Sequence, residues 1–189
     1  TKFNKKFSVG ICHPGSTISE TGLIKNSNNS TWMNNKPFQK DISNELNRII
    51  YCENDANCFA LSEATDGSAS HYKIVFGVIL GSGCGGGLVI DKKIVSGSNG
   101  LSGEWGHNPL PYYGNLDDED INLGEGTLVK NINIEKFISG KGLEDLYFEK
   151  KNERKSTKEI FSDVLNNEKF INNFYNRLSR SLSILINTI

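Results

Sequence analysis

Ile74-Val75-Phe76-Gly77-Val78-Ile79-Leu80 runs into Gly81-Ser82-Gly83-Cys84-Gly85-Gly86-Gly87 and out again through Leu88-Val89-Ile90. The nearly continuous apolar run is the mark of a strand covered on both faces. The second apolar run reads as a strand returning beside it, with Asp91-Lys92-Lys93 as the next turn and Ile94-Val95 continuing. Between them, five of seven residues are Gly. Such a segment reaches backbone conformations closed to other residues, and its successive N–H groups can form a nest for anionic oxygens. The hydroxyl of Ser82 adds a donor. A plain hairpin turn with bulges is the competing reading. No Gly-Lys-Ser/Thr follows, which excludes a Walker phosphate loop. Gly81, Gly83 and Gly86 spell G-x-G-x-x-G, but a dinucleotide loop should open a helix and this one opens a strand.

Towards the N-terminus lies Glu53-Asn54-Asp55-Ala56-Asn57, between the short apolar run Ile49-Ile50-Tyr51 and the Ala-containing segment 58–64, which reads as a helix. Asp55 at such a junction can act as a general base towards a substrate hydroxyl while Asn54 orients that substrate. Equally, Asn54 or Asp55 can simply cap the helix. Further back, 38–46 reads as a helix and residues 21–37 as a polar loop holding Trp32. Phe7 to Ile11 alternates like a strand, which His13-Pro14-Gly15-Ser16 breaks. Asp66-Gly67-Ser68-Ala69-Ser70 is a polar break, so a domain boundary is expected at residue 70, with 1–70 and 71–189 as two α/β units.

Towards the C-terminus, residues 97–135 read mostly as loop, and Asp117-Asp118-Glu119-Asp120 as a solvated acidic surface. Glu104 and His107 stand three residues apart. Both can engage sugar hydroxyls or simply hold each other, and Glu135 is similarly open. Ser156 and Glu159 have capping-box spacing. Ile171, Phe174, Tyr175, Leu178, Leu182, Leu185, Ile186 and Ile189 form a helical stripe expected to face the core.

The 189 residues carry 21 Lys+Arg against 22 Asp+Glu, with 37% hydrophobic and 23% charged residues. Those fractions exclude wholesale disorder. The net charge of -1 implies no basic face, so a nucleic-acid partner is not expected. No apolar run approaches the roughly 18 residues of a membrane span. Four cysteines at 12, 52, 58 and 84 form no C-x-x-C pair, which suits a reduced, cytoplasmic setting.

Pro14-Gly15-Ser16, Asn29-Ser30-Thr31-Trp32, Glu53-Asn54-Asp55-Ala56-Asn57-Cys58, the 81–87 glycines and Gly103-Glu104-Trp105-Gly106-His107-Asn108-Pro109-Leu110-Pro111 occur in one order. Together they resemble the ROK family of sugar kinases and repressors, most closely its fructokinase and mannokinase branch. The resemblance implies an actin-like (ribonuclease H-like) two-domain α/β fold, present in part, with ATP, Mg²⁺ and a hexose such as fructose, mannose or glucose in the cleft. Asp55 matches the catalytic base. Asn54, Glu104, His107 and Glu135 match sugar ligands. Gly15, Ser16 and Thr31 match segments on the sugar side. Gly81, Ser82, Gly83, Cys84 and Gly85 match a phosphate loop. A homodimer is compatible with the resemblance.

The departures are specific. The positions where the family's zinc motif has cysteines are Gly126, Leu128 and Asn133, so a structural zinc is not expected beside His107. His13 stands where the family usually has an aliphatic residue. The family's first phosphate loop and its Gly-Gly adenosine motif are not in these 189 residues, and the chain begins with Thr1. A segment of a longer fructokinase-like enzyme is expected. A sugar-sensing regulator and an inactive kinase fragment are the alternatives.

Overall fold

A computed structural model describes residues 7–109 and 133–188. The acidic stretch 117–120 and two of the zinc-motif positions, Gly126 and Leu128, lie outside these described residues. The chain divides into two compact units: Thr1–Val78 with Gly86–Gly103, and Ile79–Gly85 with Glu104–Ile189.

In the first unit, β1 (Val9–His13) pairs in parallel with β4 (Ile50–Asn54), in register from Val9↔Ile50 to His13↔Asn54. Parallel neighbours need a crossover. Here it contains the small antiparallel pair β2 (Ser16–Thr17) and β3 (Ile24–Lys25) and the helix α1 (Phe38–Leu46). α1 stops at Asn47, whose φ of 48° is left-handed. α2 (Asp55–Thr65) starts where β4 ends, and buries Ala56, Ala60 and Ala64 at four-residue spacing.

β5 (Ile74–Leu80), β6 (Cys84–Ile90) and β7 (Lys93–Ile94) form a sheet in that order. Ala60, Ala64, Val75 and Val89 make one buried cluster. The Asp66–Ser70 break therefore falls inside the first unit, because α2 packs on the strands that follow it. A Cβ at Gly77 or at Gly87 would lie 2.9 Å from the Ala60 methyl, and one at Gly87 also 2.7 Å from the Ala56 carbonyl. These two glycines let helix and sheet approach closely. This also shortens the expected glycine loop: only Gly81–Gly83 is loop, and Cys84 to Gly87 is strand. β5 is not covered on both faces among the described residues, since Ile74 and Leu80 are exposed.

The second unit is helical beyond the loop: α3 (Ile134–Ile138), α4 (Gly140–Lys151), α5 (Thr157–Ser162) and α6 (Val164–Thr188). Phe137, Ile138, Leu143, Leu146, Ile160, Phe170 and Ile171 are buried together with Tyr147. The Tyr147 ring meets Phe170 edge-on at 5.2 Å, and its hydroxyl donates to Asn167 at 3.1 Å. The capping box Ser156–Glu159 forms at the start of α5. On α6 the buried face is rotated from the expected apolar stripe. Ile171 is buried, but so are Asn173, Arg177 and Ser181, while Tyr175 and Ile186 are 53% and 75% exposed. Arg177 explains part of the rotation: its guanidinium lies over the Phe137 ring at 5.5 Å, so its α3 contact draws that face inward.

Candidate active site

Ligand sites in α/β sheets form beyond the carboxyl ends of parallel strands. In the first unit those ends are His13 and Asn54, which are register partners. Asn54 is the N-cap of α2: its Oδ1 accepts from the N–H groups of Ala56 at 2.9 Å and Asn57 at 3.2 Å. Its Nδ2 donates to the Gly15 carbonyl at 2.9 Å. Both Oδ1 lone pairs and one of two amide hydrogens are thus in use. Asp55 follows, exposed, with Oδ1 held by the Ala56 N–H at 2.9 Å. Its Oδ2 makes no hydrogen bond among the described residues. The capping expected for this segment is present, and it falls to Asn54, leaving the Asp55 carboxylate facing outward.

The turn beside Asn54 is tightly set. Gly15 has φ +78°, and a Cβ there would lie 2.5 Å from the Lys25 carbonyl. Ser16 is buried and donates its hydroxyl to the Gly100 carbonyl at 3.2 Å. Ser16 therefore packs within the unit. Thr31 lies exposed in a 3₁₀ turn, Thr31–Met33, and among the described residues makes no hydrogen bond to Gly15 or Asn54.

In the second unit, the residues opening β6 gather two other stretches of sequence. The Cys84 N–H donates to Glu135 Oε2 at 2.7 Å. The Trp105 indole N–H donates to the Gly85 carbonyl at 2.8 Å. A Cβ on Gly106 would lie 2.6 Å from both the Cys84 carbonyl oxygen and its Cβ. Glu104, His107 and Glu135 are thus brought to the glycine loop, as their sequence separation alone would not reveal. Glu104 Oε2 and His107 Nδ1 stand 3.2 Å apart. Within the loop, Gly81 N–H donates to Gly83 at 2.9 Å, and Cys84 is committed to Glu135. The N–H groups of Ser82 and Gly83 make no bond among the described residues, which leaves them free for an anion.

Beside this loop lies a cleft of about 870 Å³, lined by Gly81, Ser82, Ser139, Gly140, Lys141 and Thr157 among others. That volume is in the range of small-molecule sites. Its floor is pinned by Gly140 N–H donating to Gly81 at 2.7 Å and by Thr157 Oγ1 donating to Gly140 at 3.1 Å. Sequence reading missed Ser139, Gly140 and Thr157. The available signal was the serine cap of α4, whose Oγ accepts the Gly142 N–H at 3.0 Å.

The residues present do not fit the family's structural zinc. Asn133 is an amide, and its side chain accepts the Lys136 N–H at 3.0 Å. Burial, assisted by the Glu135 carboxylate, pushes the Cys84 thiol up to about 12. Among the described residues no group of three His, Cys, Asp or Glu gathers. No helix among them is long and apolar enough to cross a membrane.

The family model described as ROK matches residues 1–189. An N-acetyl-D-glucosamine kinase of Histophilus somni (strain 129Pt) is 42% identical over 161 residues, covering 84% of this chain and 52% of the relative. The chain spans about half the length of the curated relatives it matches. The ROK hexokinase of Thermus thermophilus is similar with a TM-score of 0.75 at 21% identity, over 96% of this chain and 59% of that one. A ROK family glucokinase from Streptomyces griseus, solved with glucose and AMPPNP, gives a TM-score of 0.68 at 20% identity, over 96% and 62%. These likenesses establish the actin-like α/β fold, present here in part. The family match over the whole sequence and the 42% relative lead to one conclusion: this chain belongs to the ROK family.

Proposed function

We propose that this chain carries the sugar-facing and phosphate-facing elements of an ATP-dependent sugar kinase whose substrate is N-acetyl-D-glucosamine. The observation that carries the kinase reading is Asp55: an exposed carboxylate at a parallel-strand end, anchored by one oxygen and preceded by the cap Asn54. Its free oxygen takes the proton from a sugar hydroxyl as that oxygen attacks the γ-phosphorus. The bond from phosphorus to the bridging oxygen breaks, and ADP leaves with the electron pair. Asn54 serves the sugar as a donor, through its remaining amide hydrogen.

The nucleotide enters with Mg²⁺ as its counter-ion, so the metal comes with the substrate. We place its phosphates at the Ser82 and Gly83 N–H groups and its remainder in the cleft beside Gly140. Glu104 and His107 are assigned to sugar hydroxyls. Glu135 holds Cys84 with Oε2 and keeps Oε1 for the sugar. The fructose preference expected from the sequence gives way to N-acetyl-D-glucosamine because the curated relatives at 39–42% identity are kinases of that sugar. Their names also favour the enzyme over the regulator.

The test is ADP production by the protein of the full reading frame with N-acetyl-D-glucosamine, glucose, mannose and fructose. The reading predicts the highest kcat/KM for N-acetyl-D-glucosamine, by at least about tenfold, the discrimination of one well-placed polar contact. Preference for fructose would overturn the substrate. Sugar binding without ADP formation would overturn the kinase and favour a regulator.

A further inference from the structure

His13 is 2% exposed, and both its ring nitrogens are spent on the turn that follows it. Nδ1 lies 3.1 Å from the Pro14 carbonyl and Nε2 lies 3.2 Å from Thr17 Oγ1. A carbonyl oxygen only accepts, so Nδ1 carries a hydrogen, and Nε2 forms the second hydrogen bond with the Thr17 hydroxyl. The ring edge packs on Phe38 at 6.0 Å. The imidazole thus spans the turn from Pro14 to Thr17. Between those anchor points lies Gly15, whose carbonyl receives Asn54 Nδ2 at 2.9 Å.

We infer that His13 is a positioning residue, whose imidazole braces the Pro14–Gly15–Ser16 turn in the shape that presents this turn, with Asn54, to the sugar. The inference rests on the sugar-kinase reading above. His13 is too deeply buried to touch substrate, so it acts only through the turn. An aliphatic residue would fill the same space. It would leave the Pro14 carbonyl and the Thr17 hydroxyl without their partner, and the turn free to relax around Gly15, whose left-handed φ makes it the pliant point.

The experiment compares His13→Leu, His13→Gln and Thr17→Val with the unmodified protein of the full reading frame. The measurements are KM, kcat and the calorimetric Kd for N-acetyl-D-glucosamine. Loss of one or two hydrogen bonds at the turn predicts about a tenfold rise in KM and Kd for His13→Leu, with kcat within about twofold. Thr17→Val should do the same, and the double variant should be no worse than either single, because both remove one brace. Gln, which can donate to Pro14 and accept from Thr17, should restore most of the affinity.

A protein that melts earlier but keeps KM and Kd unchanged would reduce His13 to a packed core residue. Additive effects of the two single changes would also overturn the brace. If the unmodified protein neither binds nor phosphorylates any hexose, the kinase reading fails instead. Hydrogen exchange at the Gly15 and Ser16 amides then decides on the brace: His13→Leu must accelerate it, and unchanged exchange overturns it.

Discussion

Asn54 donates to the carbonyl of Gly15 at 2.9 Å. With that one hydrogen bond, the residue that caps α2 also fixes the turn after β1, so the start of α2, where Asp55 stands, and the Gly15 turn are tied by a single side chain.

The two jobs of Asn54 separate on substitution. Asn54→Ala removes cap and clamp together and should cost about 1–2 kcal/mol in urea unfolding. Asn54→Asp keeps an acceptor for Ala56 and Asn57 but has no hydrogen to give Gly15. It should stay within about 1 kcal/mol of the parent, because Asp and Asn cap about equally well. Its affinity for the sugar should fall all the same. Equal destabilisation by both changes would contradict the division of labour.

Gly106 and Gly81 make a contrasting pair. A Cβ on Gly106 would press on Cys84, whereas one on Gly81 meets nothing within 4 Å. Gly106→Ala should lower stability by about 1–3 kcal/mol, the usual cost of overpacking. Gly81→Ala should change it by no more than about 0.5 kcal/mol. With phosphates at the adjoining Ser82 and Gly83 N–H groups as proposed, the same variant should raise the KM for ATP. Thermal unfolding of the two variants, beside a nucleotide titration, checks all three outcomes.

Alkaline pH should weaken the fold through Cys84. Its thiol is held at about 12 against an ordinary 9.0, chiefly by burial and then by the Glu135 carboxylate. The folded state therefore keeps a proton that the unfolded chain releases. The stabilising effect is complete below pH 9 and is lost as pH rises from 9 towards 12. Cys58 shifts in the same direction, also to about 12, with burial first and the neighbouring Cys12 next. Cys84→Ala should flatten the fall in unfolding midpoint between pH 8 and 10.5. Glu135→Gln should let Cys84 alkylate at lower pH without returning it to ordinary reactivity, since burial remains. Peptide-resolved alkylation reads this directly.

The local signals proved readable where the chemistry is local. The Ser156–Glu159 box, α1 over Phe38–Leu46 and the strand ending at Leu80 are set by neighbours in sequence. Asp55 and Asn54 could be singled out because a strand, a cap and a helix follow one another without a gap. Long-range packing was not readable. The glycines at 86 and 87 looked like loop, yet Gly87 is small because Ala56 and Ala60 of α2 press against it. The apolar stripe of α6 misjudged its buried face because Arg177 turns inward over Phe137, a contact between residues 40 apart. The cleft beside Gly140 depends on Thr157 and Gly81, which only the tertiary structure brings together.

The most direct test of the account is the turnover of Asp55→Asn in the protein of the full reading frame. Asn is nearly isosteric and leaves the Asn54 cap in place, so folding and calorimetric sugar binding should persist. Loss of the proton acceptor should lower kcat by about 10²–10⁴. A variant that folds, binds the sugar and phosphorylates it at near the parent rate would contradict the account.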